Sequence, residues 1–318
     1  MRRLLGDNDV LAYLVMMTAR LLELHRVLRS TGSLWLHCDP TASRYLKVLL
    51  DSIFDPRQFV NEIIWKRAHT VKGNAGQGAK HFGRSTDTIL AYGKSGAYKF
   101  NQLYEPYGEG YLKRFHHVEP KTGRRYRTIS MIGPGGGAKG NPSYEVMGVT
   151  RYWRYSKEHM QELIDAGQVI QARPGAVPER KLYLDKGKGS PIQSLWTDLV
   201  AINPRASERL GYPTQKPLVL LERIIASGSD PGDIVLDPFA GCGTAIDAAQ
   251  KLGRRWAGID IATLAIDLID ARLRHEYSEA IREKYDIVGI PKDLVGATAL
   301  FKRSPFEFER WCVMLLDG

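Results

Sequence analysis

Cysteine is scarce in this 318-residue chain. There are three, Cys38, Cys242 and Cys312. They show no metal-ligand spacing, and an odd count leaves one unpaired. That argues against a disulfide-stapled secreted domain and against a zinc module, and it fits a reducing cytoplasm. Long apolar runs are missing too: none reaches the ~18 residues that a membrane-spanning helix needs, so no membrane partner is expected. Met1-Arg2-Arg3 is basic, but Asp7 and Asp9 follow directly, so the start does not read as a secretion signal. Acidic residues are in deficit, with 35 Asp and Glu against 45 Lys and Arg, a net charge of +10. A pI near 9.4 points to a polyanionic partner. A hydrophobic content of 43% supports a sizeable core, and the length implies two domains or one domain with an insertion.

The most informative stretch is Asp237-Pro238-Phe239-Ala240-Gly241-Cys242-Gly243-Thr244. A short apolar run, Ile234-Val235-Leu236, precedes it and a helix-compatible segment, residues 245–252, follows. The pattern is strand, glycine turn, helix. Glycines let the backbone approach a ligand where a Cβ would clash, and the helix start offers unpaired N–H groups. A second strand, Trp256-Ala257-Gly258-Ile259, ends in Asp260. This carboxylate lies about 20 residues beyond the turn, the spacing of an acid that accepts from ribose hydroxyls. The glycines do not follow G-x-G-x-x-G, so a dinucleotide is not the natural ligand; a plain βα turn is the bland alternative.

Along the chain, residues 11–28 carry apolar side chains at helical spacing, with Asp7 or Asn8 as cap and Ser30-Thr31-Gly32 as stop. Residues 33–37, 61–66 and 88–92 read as strands, and 43–54 as a helix. Helices are also expected over 218–226 and 263–274. Alternating strands and helices predict a largely parallel sheet with helices on both faces. Between about residues 96 and 207 this pattern stops. That region holds the run Gly133-Pro134-Gly135-Gly136-Gly137-Ala138-Lys139-Gly140, which reads as a loose loop because neither strand nor helix flanks it. Basic and aromatic residues interleave there: Lys113, Arg114, Phe115, Arg124, Arg125, Tyr126, Arg127, then Arg151, Tyr152, Trp153, Arg154, Tyr155. Such residues can meet phosphates and stack on bases, which makes Lys113, Arg114, Arg124, Arg125, Arg127, Arg151 and Arg154 the candidate DNA-binding set.

In this order the pieces resemble a β-group amino-methyltransferase of DNA (the N-4/N-6 DNA methylases). Gly32 to Pro40 is similar to a strand of the catalytic half, Pro213-Thr214-Gln215-Lys216-Pro217 to the family's cofactor-side TQKP motif, and residues 237–244 to its cofactor loop. The resemblance covers roughly residues 10–275. It implies an α/β fold: a Rossmann-like S-adenosylmethionine-dependent methyltransferase sheet with an inserted target-recognition region. The implied arrangement is a catalytic half over 1–95, the insert over 96–207, the cofactor-binding half over 208–284, and a C-terminal extension over 285–318. The implied activity is methyl transfer from S-adenosylmethionine to an exocyclic amino group in double-stranded DNA, adenine N6 favoured as the commoner target over cytosine N4. A restriction endonuclease, as partner or fused domain, goes with it, and no metal is required.

By the same resemblance Phe239, Gly241, Gly243 and Thr244 approach the cofactor. Asp237 accepts from its amino group, Asp260 takes its ribose, and Thr214 and Lys216 close the pocket, Lys216 toward the cofactor carboxylate. One departure stands out. The family's catalytic Asp/Asn/Ser-Pro-Pro-Tyr/Phe tetrapeptide, which holds a flipped base, does not occur in these residues. Asp39-Pro40-Thr41, Asp55-Pro56-Arg57, Asn141-Pro142-Ser143-Tyr144 and Asn203-Pro204-Arg205 each lack the second proline. The catalytic residues are therefore unknown. The expectation is an N-terminally truncated copy with an incomplete sheet, open strand edges and little catalysis, or an inactive DNA- or cofactor-binding remnant of the same fold.

Overall fold

A computed structural model describes residues 6–68, 78, 80–203, 206, 208–291 and 293–316. The chain forms two compact units, one from Met1–Leu103 with Gln193–Gly318 and one from Tyr104–Ile192. The second unit lies inside the expected insertion, 96–207, and is shorter at both ends.

The first unit opens with α1 (Asp9–Val27), capped by Asn8, whose Oδ1 accepts from Leu11 N at 3.0 Å. Strand β1 (Ser33–Cys38) leads into α2 (Pro40–Phe54), which starts with proline in its first turn behind an Asp39 cap. Strands β2 (Phe59–Lys66) and β3 (Thr86–Gly93) follow. Leu14, Met17 and Leu21 of α1 and Leu46, Leu50 and Phe54 of α2 form single stripes that bury against Leu90 and Tyr92 of β3.

The sheet is not largely parallel. β3 lies between β1 and β2 and runs antiparallel to both. Helix α2 does return the chain so that β1 and β2 share a direction, as a helical crossover must. The described residues between β2 and β3 form no helix, and β3 enters the space between the two parallel strands.

Within the second unit, β4 (Arg125–Ser130), β5 (Ser143–Val146), β6 (Val149–Tyr152), α3 (Lys157–Asp165) and β7 (Glu179–Tyr183) succeed one another. β4 and β7 pair antiparallel, and β5 and β6 form a hairpin. Met131, Val146, Trp153, Met160 and Leu163 make the core of this unit. The glycine run is not loose. Gly133 N donates to Tyr152 O at 2.8 Å, Asn141 Nδ2 donates to Pro134 O and Gly136 O at 3.0 and 2.8 Å, and Gly137 lies against the Tyr152 ring with no room for a Cβ.

Returning to the first unit, β8 (Leu195–Trp196) adds to β2 in parallel. Next come α4 (Leu218–Gly228), β9 (Ile234–Asp237), α5 (Thr244–Lys251), β10 (Arg255–Gly258), α6 (Thr263–Tyr277), α7 (Leu294–Arg303) and α8 (Pro305–Leu316). β9 and β10 pair in parallel as a two-stranded sheet of their own. Ile234 and Leu236 of β9 are exposed, and β1 forms one edge of the four-stranded sheet. Asn101 Nδ2 joins the two parts of this unit by donating to Ala226 O and Ser229 O at 3.1 and 3.0 Å, and Lys99 pairs with Asp233 at 2.6 Å. No helix among the described residues is long and apolar enough to cross a membrane.

Leu46 is fully buried where α2 meets the sheet. Leu46→Ala is expected to lower unfolding stability by about 2–5 kcal/mol, the range for a buried leucine truncated in a packed core; urea denaturation followed by tryptophan fluorescence checks it.

Candidate functional site

The chain leaves β9 at Asp237 and reaches α5 through a turn in which Gly241 and Gly243 have φ of 52° and 74°. L side chains rarely adopt such angles, and space excludes them as well. A Cβ on Gly241 would stand 3.1 Å from Tyr212 Cε1, and one on Gly243 only 2.7 Å from Ile269 Cγ1. The turn is clasped from the end of β10: Asp260 Oδ2 accepts from Gly241 N at 2.8 Å and Oδ1 from Ala262 N at 3.0 Å. Asp237 Oδ1 accepts from Phe239 N at 3.1 Å, and the Phe239 side chain stays 48% exposed. Thr244 is buried, its Oγ1 accepting from Arg272 Nη1 at 3.2 Å.

Charge at this turn is unbalanced. Burial pushes the Asp237 carboxyl above its usual range, and the nearby Asp260 charge adds to the shift, against a downward pull from the Phe239 N–H bond. Lys216 is pushed the other way. Burial makes it a weaker base, and the Asp87 charge opposes this while Arg67 reinforces it. Its Nζ donates to Thr214 O at 2.9 Å, and Thr214 itself is exposed. Asp87 accepts from His37 Nε2 at 3.0 Å and pairs with Arg67 Nε at 3.1 Å, and Trp65 stands edge-on to the His37 ring at 5.6 Å. Cys38 beside this cluster is pushed up to about 12, by burial and then by the charges of Asp39, Asp87 and Glu62, so its thiol stays protonated and is no nucleophile. Among the described residues no group of three or more His, Cys, Asp and Glu could hold a metal ion.

The sequence-predicted Asp237, Phe239, Gly241, Gly243, Thr244 and Asp260 therefore meet at one turn. Tyr212, on the same segment as Lys216, stands beside Gly241 of that turn. Asp260 differs from expectation in that both its oxygens already accept backbone bonds. Sequence reasoning missed Tyr212, His37, Asp87, Arg67 and Arg272. Tyr212 sits beside a recognised motif and was open to discovery; the others have no spacing signal.

In the second unit the basic residues divide. Arg124 forks onto Asp185 (Nε to Oδ2 2.9 Å, Nη2 to Oδ1 2.8 Å) and lies 3.8 Å over the Tyr183 ring. Arg125 donates to Phe115 O and Leu112 O at 3.1 and 3.0 Å, and Arg127 packs on Tyr111 and Phe115. These three bind their own unit together. Lys113, Arg114, Arg151 and Arg154 are exposed, as is Arg125; Arg151 Nη1 donates to Thr150 O at 2.8 Å and Arg114 lies 5.7 Å over the Tyr111 ring.

Similarity to known proteins extends over most of the chain. A family model described as DNA methylase matches residues 5–270. The Type II methyltransferase M.EcaI of Enterobacter cloacae is 30% identical over 265 residues, covering 82% of this chain and 57% of its own length. The Mod subunit of the Type III restriction-modification enzyme StyLTI of Salmonella typhimurium LT2 is 26% identical, over 80% of this chain and 40% of its own. The chain thus spans about half the length of the curated relatives it matches. Among solved structures, the PvuII DNA methyltransferase (cytosine-N4-specific) is 12% identical, with 87% of this chain and 77% of that one covered at a TM-score of 0.45.

Glu119 gives the second unit a pH signature. Hydrogen bonds from Tyr183, Thr122 and Lys181 hold its carboxyl at about 2, from an ordinary 4.5. A carboxyl depressed on folding stabilises above its unfolded value and loses that contribution as pH falls through the folded one. Acid titration of unfolding between pH 4.5 and 2 should show a steeper loss of stability in the wild type than in Glu119→Gln; equal slopes would contradict the assignment.

Proposed function

The chain belongs to the DNA methylase family, and on that premise we propose that it transfers a methyl group from S-adenosylmethionine to an exocyclic amino group of a base in double-stranded DNA. The observation that carries the proposal is the glycine turn after β9, with the Asp237 carboxyl at its start and the Lys216 amine on the segment whose Tyr212 packs against Gly241.

Those two groups fit the amino-acid end of the cofactor. Asp237 would accept from its ammonium and Lys216 would donate to its carboxylate, and each contact favours the ionised side chain. Phe239 offers an exposed apolar face, and Gly241 and Gly243 leave the backbone bare. Asp260 holds the turn, and since a carboxylate oxygen accepts more than one bond it keeps capacity for ribose hydroxyls. When bound, the cofactor supplies a sulfonium methyl group to a nitrogen held in line at near-attack distance. The exposed Lys113, Arg114, Arg151 and Arg154 are the proposed phosphate contacts. The proposed acceptor is adenine N6, favoured over cytosine N4 as the commoner target. A restriction endonuclease, separate or fused, is the proposed partner in a restriction-modification system.

A second reading rests on the absence of an Asp/Asn/Ser-Pro-Pro-Tyr/Phe tetrapeptide from these residues: binding of cofactor and DNA without transfer. Two measurements separate the readings. Calorimetric titration with S-adenosylmethionine should show binding that weakens as pH falls, beginning at a higher pH than an ordinary carboxylate would give, because a protonated Asp237 no longer attracts the ammonium; Asp237→Asn should bind weakly with that dependence gone. Labelled methyl transfer to unmethylated mixed-sequence DNA, followed by nucleoside digestion, then identifies the methylated base. Absence of binding at every pH would overturn the proposal, and binding without incorporation would favour the second reading.

DNA binding gives its own test. The double variant Arg151→Ala/Arg154→Ala should reduce the slope of log affinity against log salt by about two, near 0.9 for each phosphate no longer neutralised. Arg124→Ala should leave that slope unchanged and destabilise the second unit. The opposite pattern would return the DNA-binding role to the start of β4.

A further inference from the structure

Behind the glycine turn stands a buried guanidinium that nothing in the turn's own sequence announces. Arg272, on α6, is 7% exposed. Its Nε and Nη2 reach Asp247 Oδ2 on α5 at 2.8 and 2.7 Å. The other oxygen of Asp247, Oδ1, accepts from Tyr277 OH at 2.6 Å. Two of the three guanidinium nitrogens are thus committed to the ion pair. The third, Nη1, points elsewhere: it lies 3.2 Å from Thr244 Oγ1 and 3.4 Å from Cys242 O. Between these two residues, Gly243 rests on Ile269, which is three positions before Arg272 and so on the same helical face. One face of α6 therefore backs three consecutive turn residues, Cys242, Gly243 and Thr244.

We propose that Arg272 is a positioning residue for the cofactor: pinned by Asp247, it fixes the shape of the turn from behind through Cys242 O and Thr244 Oγ1. The inference rests on the reading of this turn as the cofactor site. The ion pair alone needs only the Asp247 edge of the guanidinium. The forked geometry lets one side chain grip the carboxylate and the turn together, which a lysine ammonium, a compact point charge, does not reproduce. Asp260 and backbone bonds hold the front of the turn, at Gly241 N, Ala240 N and Gly243 N; Cys242 O and Thr244 Oγ1 are held from Arg272, while Cys242 Sγ makes only a 3.6 Å contact with Thr244 Oγ1. Arg272 also lies beyond the stretch, residues 5–270, matched by the family model.

Three variants test this, each read by melting temperature, by amide hydrogen exchange of residues 241–244 without ligand, and by the dissociation constant for S-adenosylmethionine. Arg272→Lys keeps a cation opposite Asp247. It should speed exchange in the turn and weaken cofactor binding, each by roughly tenfold, the size of one charge-assisted hydrogen bond removed. Tyr277→Phe removes a bond to the same carboxylate without touching the turn; it should lower the melting temperature and leave exchange and affinity within about twofold of wild type, since every bond to the turn stays in place. Thr244→Val leaves the ion pair whole and removes one bond to the turn, so its turn should exchange faster than wild type even if Arg272→Lys fails to fold. Wild-type exchange in Arg272→Lys or in Thr244→Val, or loss of affinity in Tyr277→Phe as large as in Arg272→Lys, would reduce Arg272 to a structural ion pair. If the wild type does not bind S-adenosylmethionine, the proposed function fails, and exchange in the turn still decides whether Arg272 shapes it.

Discussion

A turn made of glycines has no side chains with which to hold itself. Bare backbone is what a closely approaching ligand requires, and it is also what lets a loop wander, since glycine loses more conformational freedom on ordering than any other residue. The turn after β9 meets this constraint with anchors from outside. Asp260 ties it to β10, Ile269 fills the space against Gly243, and Arg272 reaches Cys242 O and Thr244 Oγ1. The last of these depends on a buried ion pair. Such a pair gives little net stability, because both charges leave water, yet removing one partner costs about 3–5 kcal/mol through the charge left behind. A pair of that kind is a poor source of stability and a good source of fixed geometry, which is what this position needs.

Legibility in the sequence followed the range of the interaction. The turn could be read because strand, glycines and helix are consecutive, and Asp260 because its distance from the turn is set by one helix and one strand. Arg272 could not be read. It is 25 residues from Asp247, and a basic residue on a helix looks the same whether it faces solvent or a carboxylate. His37, Arg67 and Asp87 are hidden for the same reason: β1, β2 and β3 bring them together only once the sheet has formed. Strand direction failed in a related way. Helix α2 correctly implied that β1 and β2 run the same way, but adjacency is not fixed by direction, and β3 occupies the place between them.

Composition is ambiguous in a different way in the second unit. A net charge of +10 made the arginines around the start of β4 look like phosphate ligands. Arg124 and Arg125 instead satisfy Asp185 and backbone carbonyls, while Arg127 stacks on rings. Arginine suits such work because its planar fork bonds at the rim and packs on its face. Interleaved arginine and tyrosine is therefore as much the signature of a small unit with a modest apolar core as of a nucleic-acid surface. Which arginines are engaged within the unit depends on neighbours distant in sequence, which the sequence does not display.

The electrostatics of the turn give the most direct link between fold and ligand. Asp237 is raised by burial and by Asp260, while Lys216 is lowered by burial and by Arg67. Asp237 stands at the start of the bare turn, and Lys216 lies on the segment whose Tyr212 meets Gly241, so the fold places two groups of opposite sign in its neighbourhood. A purely cationic or purely anionic ligand would relieve one and leave the other. On the proposed function, a zwitterionic ligand would relieve both. The same reasoning sets Asp260 apart from this pair. Its two oxygens already accept backbone N–H bonds, so its charge serves first to hold the turn, and only its remaining lone pairs face the task the sequence assigned to it.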